Sequence, residues 1–240
     1  MTKEQKQQFR ADLFCHLDGI VTAPTAFALH QKGVLDFLLK IKKTSLQKIT
    51  ETFHANEGYL NVALHTLASQ GWLEHEIIDE NNIQISINEK SETAFQLVPL
   101  YEDVVKLIQL SEKYHRRRFE LEPFLLLEKI FEKFQNNYGI EFSENEITIQ
   151  LQNQVLKHIE GIIVGPTVVA LGMNGMFHKY FMEASFMPEE FHGDGESFAR
   201  LLDIFVFLNW FEKKNGTFRF TEKGMFYAKR ASAYGVTVSY

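Results

Sequence analysis

Cysteine is almost missing from this chain. Cys15 is the single one in 240 residues, which excludes a disulfide within the chain and suggests a reducing, cytoplasmic setting. Long hydrophobic runs are missing too. The longest uncharged stretch, Gly161 to Phe177, is broken by Pro166, Asn174 and four glycines, so no membrane span is expected. Met1 to Asp12 is polar and charged, with no apolar segment behind a basic start, so no signal peptide is expected either. Cationic excess is absent: the net charge is −6 and the pI about 5.9, so no global field draws the chain to nucleic acid or anionic lipid.

Signatures of catalysis are also lacking. No Gly-x-Gly-x-x-Gly follows a strand, and Gly193-Asp194-Gly195 lacks the third glycine. No Gly-x-Ser-x-Gly elbow, His-Glu-x-x-His pair or paired cysteine ligands occur. The sequence therefore offers no catalytic, cofactor-binding or metal-ligating residue, and no βαβ unit to hold a nucleotide.

What is present is an internal repeat. His16-Leu17-Asp18-Gly19-Ile20-Val21-Thr22-Ala23-Pro24-Thr25 returns 142 residues later as His158-Ile159-Glu160-Gly161-Ile162-Ile163-Val164-Gly165-Pro166-Thr167. A second block, shifted by 138, pairs Phe53-His54 with Phe191-His192 and Trp72-Leu73-Glu74 with Trp210-Phe211-Glu212. A third, shifted by 133, pairs Ile85 to Lys90 with Phe218 to Lys223. Ordered blocks separated by small deletions indicate a duplicated module.

In the first copy, Phe9, Leu13, Phe14 and Leu17 at three-to-four spacing predict a helix over Lys3 to Asp18. Pro24 suits the first turn of a second helix running to about Gln31, since proline lacks the amide left unpaired there. Thr44 or Ser45 then caps a helix to about Thr52, and Asn56 caps an amphipathic helix that Gly71 stops. Trp72 to Ile78 and the alternating Ile83, Ile85 and Ile87 predict a hairpin. Helices, a helix-turn-helix and a two-stranded wing describe a winged helix. The second copy repeats the order, with Pro166 to Asn174, a capped start near Asp194, and Asn215-Gly216 as its hairpin turn. Val98 to Ile149 reads as largely helical, with Leu125 to Phe134 its clearest amphipathic stretch and Ser143 capping a last helix. The expected fold is mainly α: a winged-helix module over residues 1–97, a helical connector over 98–150, and a second winged-helix module with a C-terminal connector over 151–240.

A winged helix suggests DNA, but the candidate recognition helices argue otherwise. Glu57 to Ser69 contains no Lys or Arg, and Glu196 to Phe207 offers only Arg200. Phosphate neutralisation and guanine readout need cations, so nucleic acid is not the expected partner. The dense basic cluster Arg116-Arg117-Arg118 is a candidate anion contact, balanced against a solvated face offset by Glu112, Glu120 and Glu122. His16/Asp18 and His158/Glu160 tempt as metal or acid–base pairs. Residues two apart on a helix face different ways, so a duplicated structural histidine is the simpler reading. His54 and His192 read as local hydrogen-bonding residues before helix caps, and Trp72 and Trp210 as anchors of the wings.

The order Pro24-Thr25, Gly33-Val34-Leu35-Asp36, Leu46 to Ile49, Asn56 to Leu67 and Gly71-Trp72-Leu73, with Phe220-Thr221-Glu222-Lys223-Gly224, resembles a known arrangement. It is similar to the N-terminal winged-helix dimerisation region of S-adenosylmethionine-dependent small-molecule O-methyltransferases, over roughly Leu17 to Lys90 and Ile159 to Arg230. That family has one such module, followed by a catalytic domain with a glycine-rich loop that this sequence does not contain. The resemblance implies a dimerisation and substrate-gating portion, with S-adenosylmethionine bound by a missing catalytic domain. It implies a homodimer or a catalytic methyltransferase domain or subunit as partner, and a small-molecule acceptor. Phe9, Leu13, Phe14 and Leu17 become the candidate self-association face. The competing class is a non-enzymatic regulator or adaptor that binds protein or, less favoured, DNA.

Overall fold

A computed structural model describes residues 1–79, 82–110, 121–173, 185–190 and 195–238. Two long helices, α1 (Lys3–Gln31) and α8 (Glu146–Met173), make the most extensive helix contact among the described residues. At about 1.5 Å per residue each spans roughly 40 Å. Between them in sequence come α2 (Val34–Ile41), α3 (Leu46–Phe53), α4 (Glu57–Ser69), α5 (Ser91–Leu97), α6 (Glu102–Gln109) and α7 (Leu121–Gln135). After α8 follow α9 (Gly195–Phe207), α10 (Glu222–Ala228) and α11 (Ala231–Val238).

Both sheets are small and antiparallel. Strands β1 (Lys43–Ser45), β2 (Glu74–Asp79) and β3 (Asn82–Ser86) lie in the order β1-β3-β2, with buried Ile85 opposite both Thr44 and His75. Strands β4 (Phe211–Lys214) and β5 (Thr217–Phe220) form a hairpin that pairs Phe211 with Phe220. Asn215 and Gly216 turn it with φ of 52° and 77°, the left-handed pair that a tight primed turn requires. Phe186 adds one antiparallel bridge to Phe218, on the free side of β5.

In the first half of the chain two caps fall where the sequence places them. Ser45 accepts from the Lys48 amide, and Asn56 from the Tyr59 amide, each satisfying a first-turn donor. His54 ends α3 in the left-handed region, at φ 49°. The final long helix is capped by Asn145, whose Oδ1 accepts from the Thr148 amide; Ser143 instead accepts from the Asn145 amide.

Pro24 and Pro166 depart from expectation. Neither begins a helix, because α1 and α8 each continue straight through their proline. An interior proline forfeits one backbone bond and crowds the preceding turn, at about 3 kcal/mol. Thr22, Ala23 and Ala26 around Pro24, and Val164, Thr167 and Val168 around Pro166, are all buried, so tertiary packing on both sides of each proline holds the helix together. The proposed boundary at 150/151 also falls inside α8. One apolar cluster runs from Leu13 to Tyr234 and joins the two halves of the chain. Among the described residues, no helix is long and apolar enough to cross a membrane.

Candidate functional site at the helix crossing

The repeated segments meet each other where α1 crosses α8. A β-carbon on Gly161 would lie 2.5 Å from the Cα of His16, and one on Gly19 would lie 2.4 Å from the Cα of His158. Each glycine thus admits the other segment's histidine backbone. The contact is reciprocal, and both histidines are fully buried.

The second ring of contacts is reciprocal as well. Nδ1 of His16 is 2.8 Å from the hydroxyl of Tyr234, and Nδ1 of His158 is 2.7 Å from that of Tyr101. Tyr101 and Tyr234 are separated by 133 residues, the spacing of the third repeat block, so the sequence held this signal although the repeat blocks stop short of it. Trp72 lies nearly parallel to Tyr101 and donates its indole N–H to Gln154 at 3.0 Å. Trp210 stacks on Tyr227 with centroids 4.5 Å apart. Both tryptophans are fully buried.

Charge breaks the symmetry. On one side Glu160 lies 3.4 Å from Nε2 of His16, an ion-pair distance without hydrogen-bond alignment. Its other oxygen accepts from Lys157 at 2.6 Å, while Lys223 approaches to 3.7 Å and Lys157 also reaches Asp12 at 3.5 Å. Burial by itself would raise the Glu160 carboxyl, but His16, Lys157 and Lys223 outweigh it and hold the group well below the usual carboxylate range. The two lysines diverge. Burial lowers both, yet the short contact with Glu160 leaves Lys157 raised, whereas Lys223 stays lowered and donates to the Leu208 carbonyl at 2.8 Å. On the other side stands Asp18, one methylene shorter, and Nε2 of His158 has no hydrogen-bond partner among the described residues. Burial, with a smaller contribution from His16, pushes His158 down to about 3, so its imidazole is neutral. Glu160 of α8 therefore faces His16 of α1 rather than His158, two residues before it in its own helix. Among the described residues, no group of three or more His, Cys, Asp or Glu side chains is placed to hold a metal ion.

Of the candidate self-association residues, Leu13 is buried, Phe9 packs against Phe226 and Tyr227, and Leu17 is half-buried against the core. The chain's own second half covers them, because α1 packs on α8 and α10. Phe14 stays exposed at 59%, and Val21, two turns on, at 48%. A groove of about 480 Å³ opens beside α1, lined by Ala28, Leu29, Phe53 and Leu60, with Lys32 and His54 as polar groups. The first candidate recognition helix is α4, and it presents Tyr59 (81% exposed) and Val62 (66%) to solvent rather than cations. Arg116, Arg117 and Arg118 lie outside the described residues, as does His192.

Residues 160–240 end in a helix, the β4–β5 wing and two short helices, and they match the family described as the AprA winged helix domain. This part of the chain is a winged-helix domain. Residues 9–75 match the AprA N-terminal domain, a family whose description names no fold or activity. No curated protein matches the chain. The winged-helix match begins at Glu160, so it takes in the second half of α8 along with the buried carboxylate.

Proposed function

We propose that this chain is the dimerisation and substrate-gating portion of an S-adenosylmethionine-dependent methyltransferase acting on a small-molecule acceptor. Methyl transfer itself then belongs to a separate domain or subunit, and the setting is cytoplasmic. In this reading the chain is two winged-helix modules that arose by duplication, with the reciprocal His–Gly crossing and the matched Tyr101 and Tyr234 as the traces. The carrying observation is the apolar groove beside α1, next to a helix face on which Phe14 and Val21 remain uncovered. Its volume suits a small acceptor, and the exposed face suits a second subunit.

A non-enzymatic adaptor is the second reading, favoured by the apolar exposed face of α4, which suits a protein partner better than DNA. Two measurements on the full chain test the first. Calorimetric titration with S-adenosylmethionine is expected to give no saturable heat, and micromolar binding would overturn the division of labour. Light scattering is expected to give a dimer that Phe14→Asp weakens. A monomer for both proteins would remove the dimerisation role.

A further inference from the structure

We infer that a groove between the start of α1 and α10 binds a small amphiphilic anion, a carboxylate or phosphate ester carrying an aromatic or acyl body. The groove holds about 570 Å³, within the range of small-molecule sites. Its apolar lining comes from Phe220, Met225 and Phe226, and its cations are Lys6, Lys229 and Arg230. None of these three cations pairs with a carboxylate among the described residues. The lining's carboxylate, Glu222, already meets the terminal amine of Met1 at 2.9 Å. In a chain of net charge −6, three uncompensated cations around one apolar groove create a local field of the opposite sign.

Arg230 is the anchor. Its guanidinium carbon sits 3.7 Å from the centre of the Phe226 ring, and Nη1 donates to the Phe226 carbonyl at 2.9 Å. Stacking and hydrogen bond together fix the plane of the fork. The remaining N–H groups stay available for an oxyanion, which a guanidinium grips in bidentate fashion. Lys6 and Lys229 are exposed, so by themselves they would hold a bare anion weakly against salt. An apolar body resting on the half-buried Phe220 and Met225 supplies what the exposed charges cannot. Lys6 comes from one end of the chain and the other residues from the far end, so only the folded protein assembles the groove. This inference stands apart from the methyltransferase reading.

The test is calorimetric titration of the full chain with phenylbutyrate and with phenyl phosphate. Phenylbutanol serves as the neutral isostere and inorganic phosphate as the bare anion. Saturable one-site binding of at least one aromatic anion is expected, and the tighter of the two identifies the headgroup. Arg230→Met keeps an apolar stem over Phe226 and should weaken binding by about tenfold or more, the loss that charge-assisted hydrogen bonds imply. The double exchange Lys6→Gln/Lys229→Gln alters only exposed side chains and should weaken it in the same direction. The inference is overturned if neither anion binds, if phenylbutanol or inorganic phosphate binds as tightly, or if both variants bind like the wild type.

Discussion

Replacing Gly161 by alanine probes the crossing on which both halves depend. The new β-carbon would stand 2.5 Å from the Cα and carbonyl oxygen of His16 and 2.6 Å from its Cβ. Carbons pack at roughly 3.5–4.0 Å, so the helices would have to part by about 1 Å. Two of the three obstructing atoms are backbone, so no rotamer change relieves them. Overpacking by one methyl costs about 1–3 kcal/mol, and this site belongs at the upper end. Alanine's better helix propensity returns about 1 kcal/mol, leaving a net loss of about 2 kcal/mol. For a chain of this size that lowers Tm by roughly 4–8 °C. Gly165 provides the control on the same helix: a β-carbon there would meet Ile20 Cδ1 at 3.6 Å and Tyr234 Cδ1 at 3.7 Å, ordinary contacts. Gly165→Ala should therefore be neutral or stabilising by up to about 1 kcal/mol. Gly19→Ala should behave like Gly161→Ala, and the double variant should lose less than the sum, because the helices part once. Urea unfolding of the four variants decides the matter. If Gly161→Ala is as stable as Gly165→Ala, the close crossing is refuted.

Acid should destabilise the protein in two stages. His158 is depressed to about 3 when folded, so its contribution is complete above its unfolded value near 6.5 and is lost as pH falls toward 3. The full span is worth about 5 kcal/mol, and urea midpoints for His158→Gln should vary less than wild type between neutral and mildly acid pH. Glu160 is also depressed, so its contribution is present above the ordinary carboxylate range and is lost below it; Glu160→Gln should flatten that lower limb. Cys15 is pushed up to about 12, chiefly by burial, so a thiol reagent at mildly alkaline pH should modify it slowly in the native protein and rapidly in urea. Random duplex DNA should show no change in polarisation at physiological salt. Binding that survives Arg116/Arg117/Arg118→Ala and depends on Asn61 or His65 would show α4 reading DNA.

The sequence by itself determined most of the local elements. The Asn56 cap, the apolar spacing of Leu60, Leu64 and Leu67, and the stop at Gly71 define α4 because those signals act within a few residues. Asn215-Gly216 defines its hairpin for the same reason. The repeated histidines were visible in the sequence, and the 133-residue spacing of the third block also separates Tyr101 from Tyr234, a relation the blocks stop short of. The structure alone decided what lies across from each element. A periodic apolar face says that a helix is covered, not by what, so Phe9 and Leu13 read as a surface for another subunit until α10 and the core are seen against them. Pro24 reads as a helix start because propensity is local, whereas the buried side chains on both sides of it belong to the packing of α1. The pairing of His16 with Glu160 escapes any reading along one helix, where residues two apart diverge. It exists because Gly19 and Gly161, having no side chains, let two segments distant in sequence approach until the histidine of each lies against the glycine of the other.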